Sequence, residues 1–209
     1  RPPRMLSARR SVVLRLGVAQ TLAWASSFYL PAVLAAPIAH ELKLGVPTVY
    51  ALLSMALMVA AVTGPVAGRW IDRGRPVLLG AGAAFAAGLL LLASAQGLLT
   101  LALAWAVLGV AMGSGLYDAA FATLVRLYGR DARASITGIT LLAGFASTVG
   151  WPLTAALEHA LGWRGACWAW AALHLVLGLP LNAWLPRAAA PVAAAPAPMP
   201  AGGTTPPTG

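Results

Sequence analysis

Between Arg75 and Asp118 the chain runs 42 residues without a charged side chain. As one helix, at about 1.5 Å per residue, such a run would be about 60 Å long, roughly twice the hydrocarbon thickness of a bilayer. The run therefore has to turn back on itself, and Ala95-Gln96-Gly97 is the natural turn. Four further runs are also free of charge: 16–39, 44–68, 134–157 and 165–186, of 24, 25, 24 and 22 residues. Each matches the roughly 20 apolar residues that a spanning helix needs. With the hairpin counted twice, the chain reads as an all-α membrane protein with six transmembrane helices. They are expected at about 12–39, 46–70, 76–95, 98–126, 134–157 and 165–186, forming one bundle over 12–187.

Composition supports the same class. Charged residues make up 9% of the chain, hydrophobic residues 60%, and mean hydropathy is +0.80, whereas soluble domains carry about 25% charge. The net charge of +9 does not point to nucleic acid, because the arginines flank apolar runs and build no basic face interleaved with aromatics. Cys167 is the single cysteine, so no internal disulfide can form. The sequence shows no Cys/His metal spacing, no phosphate-binding loop and no hydrolase signature, and so implies neither metal nor cofactor. A cleaved signal peptide is not expected, since the first apolar run exceeds the 7 to 15 residues of a signal core. Residues 1–11 read as a basic cytoplasmic segment, and 188–209, with six prolines and no charge, as a disordered Ala/Pro-rich tail.

Basic residues fix the expected orientation. Twelve fall on one side: Arg1, Arg4, Arg9, Arg10, Arg15, Arg69, Arg73, Arg75, Arg126, Arg130, Arg133 and Arg187. Lys43 and Arg164 alone fall on the other. Both termini are therefore expected in the cytoplasm of a multi-pass plasma-membrane protein.

The segment GPVAGRWIDRGRP, 64–76, concentrates charge at the end of the second helix. Gly64 and Gly68 share a helix face, where small residues admit a neighbouring backbone. Asp72 follows one turn later, and Arg73 and Arg75 are suited to pairing with carboxylates across the bundle. Such a cluster would close the cytoplasmic side in one conformation and break in another.

This segment resembles the signature loop of the major facilitator superfamily, with Gly68, Asp72 and Arg73 in place; one residue is missing before the second glycine, and Pro76 stands where a second basic residue is common. LAWAVLGVAMGSGLYDAAFATLVRLYG, ITLLAGFASTVGWPL and LGWRGA are similar to helices 4 to 6 of bacterial members, in the manner of the monocarboxylate-transporter-like and efflux-like branches. The helix 4 arginine frequent in the family is absent, and the helix 5 glycine/proline pattern is partial, in Gly144, Gly150 and Pro152. The resemblance covers 12–187 and implies the N-terminal six-helix half of a secondary transporter in the bacterial inner membrane. It further implies an ion- or proton-coupled carrier of a small molecule, working by alternating access.

The resemblance also implies that helices 1, 2, 4 and 5 line a cavity. Gln20, Trp24, Ser27 and Pro31 form a helical stripe there, as do Thr137, Thr140, Gly144, Ser147 and Trp151 on helix 5. Tyr50, Ser54 and Met58 supply helix 2 candidates. The plain alternative for all of them is packing between helices, which small residues and Met commonly serve. Asp118 lies about 12 Å before Arg126 along the helix, and an ionisable group inside a span is a functional candidate by default. Two roles are open to it: a latch with Arg73 or Arg75, or carriage of the coupling proton. His174 is expected packed and neutral on helix 6, and His40, Glu41, Glu158 and His159 solvated at outer helix ends.

An intramembrane enzyme is disfavoured, because Gly113-Ser114-Gly115 has no histidine partner in view. The rival reading is a half-size membrane protein without transport, an interaction module or remnant. The expected partners are the lipid bilayer, a small-molecule solute, and a second six-helix bundle as a homodimer or a C-terminal half.

Overall fold

A computed structural model describes residues 3–186, with side chains from Arg9 onward. Arg1, Arg187 and the stretch 188–209 lie outside the described residues. Among the described residues the chain is helical throughout, without a strand: α1 (Pro3–Ala25), α2 (Pro31–Glu41), α3 (Val46–Asp72), α4 (Val77–Ala93), α5 (Leu98–Gly115), α6 (Tyr117–Tyr128), α7 (Ala132–Ala143), α8 (Ala146–Leu173) and α9 (Leu179–Ala183). Helix α3 is long and apolar enough to cross a membrane, and so is the nearly unbroken helical stretch Leu98–Ala183; α4 is apolar but only 17 residues long. Helix α1 starts at Pro3, ahead of residue 12 where the first span was expected.

Each interruption has a local cause. After Ala25, Ser26 and Ser27 bond back to the carbonyls of Leu22 and Ala23 at 2.8 and 2.6 Å, competing with the helix ladder. Pro31 has no N–H to continue the ladder but suits the first turn of α2. Gly113-Ser114-Gly115 weakens α5 before Leu116, which is extended. Gly144 and Phe145 separate α7 from α8. Helix α8 is itself broken at Gly162, whose φ of 69° and ψ of 171° turn the chain back into the bundle. The hairpin turn falls at 94–97, where Thr100 Oγ1 accepts from the amides of Gln96 and Gly97 at 2.9 and 3.2 Å and caps α5.

Helix α5 lies between α3 and α4, α1 packs on α7 and α8, and α4 packs on the second half of α8. The buried residues form two groups. One surrounds Phe85, Leu92, Trp105 and Trp170. The other surrounds Leu16, Ile71, Val77, Leu124 and Ile139, near the α3–α4 loop. His174 joins the first span to the last: its ring stacks on Phe85 at 4.9 Å, and its Nε2 lies 2.8 Å from Ser26 Oγ.

Candidate functional site

Three of the interruptions meet. The last turn of α1 carries Trp24, the α1–α2 break carries Phe28 and Tyr29, the α5–α6 break opens onto Tyr117, and the start of α8 carries Trp151. Trp24 lies 4.9 Å from Tyr117, 5.5 Å from Phe28 and 6.2 Å from Tyr29, ring centre to ring centre. Tyr29 meets Trp151 edge-on at 5.9 Å, and Tyr117 stacks on Phe121 at 5.2 Å. Phe28 and Trp151 are 37% and 46% exposed. The Nε1 of Trp24 is buried without a hydrogen-bond partner. Discontinuous helices commonly form binding sites at membrane depth.

Asp118 sits in the first turn of α6, beside Tyr117. It is exposed and makes no ion pair among the described residues. Phe121 is four residues from Tyr117 and three from Asp118, so it neighbours both on α6, while Tyr117 and Asp118 themselves diverge by about 100°. Alone among the charged residues of the apolar segments, Asp118 is remote from a segment end.

The latch expected between Asp118 and Arg73 or Arg75 is not formed in this conformation. The cation that reaches the loop is Arg126, whose Nη1 donates to the backbone carbonyl of Asp72. Gly74 makes this possible. Its φ is +79°, and a Cβ there would stand 2.9 Å from Arg126 Nη2. Arg75 turns to the Trp70 ring, 5.3 Å away, while Arg73 and the Asp72 side chain are exposed. Of the motif glycines, Gly64 faces the Gly113 carbonyl, and Gly68 has open space in front of it.

The helix 1 stripe divides. Trp24 belongs to the cluster, but Gln20 and Ser27, expected to face a cavity, are 2% and 0% exposed. Gln20 Nε2 donates to Gly115 O at 2.7 Å, and its Oε1 is left unpaired. Ser27 is spent on Ala23 O, and Pro31 is buried at the start of α2. Tyr50 and Ser54 are exposed on α3, with Tyr50 Oη reaching Pro31 O at 3.4 Å. Thr140 is exposed but bonds its own helix at Ile136 O, Gly144 is exposed at the end of α7, and Ser147 is half-buried. Glu41, expected solvated, accepts from Trp163 Nε1 at 2.6 Å and pairs with Arg164 at 2.9 Å.

The sequence reading missed Phe28, Tyr29, Tyr117, Phe121 and Arg126. Arg126 carries the clearest signal: it ends the fourth segment on the side where the 72–76 loop lies. The family model described as Major Facilitator Superfamily matches residues 16–208. No curated protein matches the chain.

Proposed function

The chain belongs to the major facilitator superfamily, and is thus an integral membrane protein and a transporter of that type; from this premise we propose that it moves a small solute by alternating access, coupled to an ion. The observation that carries the proposal is the convergence of three broken helices on an aromatic cluster, with Asp118 next to Tyr117 in the first turn of α6. The proposal takes six spans, formed by α1–α2, α3, α4, α5–α6, α7 with the first half of α8, and the remainder, with the aromatic cluster inside the bilayer. The basic asymmetry of 12 to 2 puts Arg126 and the 72–76 loop in the cytoplasm of an inner membrane.

Accessibility tests orientation and mechanism together. The native Cys167 is buried, so introduced thiols stand out. Ala134→Cys is expected to react with an impermeant maleimide from the cytoplasm and His159→Cys from outside; both positions are exposed. They are better sites than Gly74 or Gly162, whose φ values of 79° and 69° strain any side chain. Labelling on the reversed sides sinks the orientation. Ser54→Cys and Thr140→Cys are expected to react from both sides, in a ratio that shifts when an ion gradient is imposed. Reaction from one side alone under every gradient rules out alternating access.

A further inference from the structure

We propose that one water molecule is bound between α1 and the end of the chain's last helix, held by Gln20, His174 and Asn182. The site is separate from the aromatic cluster and does not depend on the transport reading.

Glycines make the room. Gln20, His174 and Asn182 line a chamber of about 10 Å³, together with Gly82, Phe85 and Gly178. One water needs roughly 10 to 15 Å³. A Cβ at Gly82 would stand 3.6 Å from Asn182 Nδ2, and one at Gly178 would stand 3.2 Å from His174 Nδ1. The helix widens to π geometry over His174–Gly178, a distortion frequent at functional sites.

Two acceptors define the chemistry. Gln20 and His174 are each 2% exposed. Gln20 Nε2 donates to Gly115 O at 2.7 Å. Turning the amide over would set its oxygen against that carbonyl oxygen, so the two ends of the amide are fixed by their surroundings. Gln20 Oε1 is then a buried acceptor without a donor. Ser26 Oγ lies 2.8 Å from Leu22 O and 2.8 Å from His174 Nε2. Its one proton is given to the carbonyl, so it accepts from Nε2–H, and Nδ1 of the neutral ring becomes the second acceptor.

Water matches this set. It offers two O–H donors, one for Gln20 Oε1 and one for His174 Nδ1, and a lone pair for the amide of Asn182. A metal or ammonium ion does not match, because none of the described residues lining the chamber is acidic and a buried charge without an opposite one is far costlier than a neutral group. An extra proton on Nδ1 would be the same kind of uncompensated charge.

The test is solid-state NMR of the full chain in bilayers, with nitrogen-15 at histidine and glutamine. His40, His159 and Gln96 are exposed, and the His174 ring is identified as the signal missing from His174→Phe. The parent is expected to show Nε2 protonated, Nδ1 as a hydrogen-bonded acceptor, and magnetisation passing from a long-lived water to Nδ1 and to the Gln20 amide. Gly82→Ala puts a methyl group into the chamber, and should abolish that transfer while Nε2–H stays bonded to Ser26. A protonated Nδ1, or no transfer from water in the parent, overturns the proposal; both are read without any variant having to fold. Undiminished transfer in Gly82→Ala places the water elsewhere and overturns it as well.

Discussion

Replacing Gly113 by alanine is expected to destabilise the protein by about 3 kcal/mol, the upper range for forcing one methyl group into a filled interface. A Cβ at Gly113 would stand 2.1 Å from Thr63 Oγ1, 2.5 Å from Ala60 O and 2.9 Å from Ala60 Cα. Two of those atoms belong to backbone and cannot rotate away, so α3 and α5 would have to separate. One turn earlier Gly109 meets α3 in the same manner, with Ala56 O at 2.5 Å and Val59 Cβ at 2.9 Å. Ala56, Ala60 and Gly64 on α3 thus face Gly109 and Gly113 on α5, a run of small residues that brings two backbones together. In lipid this matters more than apolar burial, because lipid tails are as apolar as leucine and contact between close-packed backbones is what remains to hold helices together. Gly68→Ala is the control. Nothing lies within 4 Å of its missing Cβ, and alanine is the better helix former by about 0.5 to 1 kcal/mol. Gly113→Ala should therefore unfold earlier in a denaturant titration of the detergent-solubilised protein, and Gly68→Ala should unfold no earlier than the parent. Equal effects at the two positions would show that the α3–α5 contact does not hold the bundle.

That stripe also marks where sequence reading succeeded and where it stopped. Gly64 is a small residue on an interface, but the stripe it belongs to runs back through Ala60 and Ala56, and its next member at 68 faces open space. The helical runs were legible because absence of charge over 22 to 42 residues leaves few alternatives. The interruptions inside them were not. A period of 3.6 residues holds only within one helix, and a break resets the phase. Gln20 and Trp24 precede the break at 26–30 and Pro31 follows it, so the four positions counted as one stripe point to different surroundings. Thr140 and Trp151 are likewise divided by Gly144 and Phe145. The aromatic cluster was hidden for a different reason. Its rings come from α1, the α1–α2 break, α6 and α8, and each alone resembles an ordinary apolar residue in a greasy segment. Asp118 stood out because a carboxylate in such a segment has no ordinary explanation.

Truncating Arg164 is expected to have the second largest effect, and it acts at the opposite end of the bundle from the 72–76 loop. Arg164 donates Nε to Glu41 Oε1 at 3.0 Å and Nη2 to the carbonyl of Ala95 at 2.6 Å, and Nη1 to the carbonyl of Ala93. Its guanidinium also lies 4.2 Å from the Trp163 ring centre. One side chain thereby ties the end of α2, the end of α4 and the part of α8 after Gly162 together. The Ala93 carbonyl is among those left over at the end of α4, where the helix supplies no donors and a cation suits the dipole, and the Ala95 carbonyl follows in the turn. Arg164→Ala removes all of these bonds together. Ionic hydrogen bonds to the two carbonyls, discounted for a side chain 33% exposed, amount to about 2 to 3 kcal/mol. Arg164→Lys should recover only part of this, because a point charge cannot reach three acceptors in a planar fork. The Glu41 end of the tie adds a dependence on pH. Its carboxyl is held below the ordinary 4.5, first by the Trp163 N–H and then by Arg164. A depressed pKa in the folded state means the contribution is whole above pH 4.5 and is lost as pH falls through the folded value. Melting temperatures of the parent and of Glu41→Gln should therefore differ at pH 6, and the gap should narrow as pH falls below 4.5. A gap that persists undiminished at pH 3 would mean that Glu41 acts by packing and not by its charge.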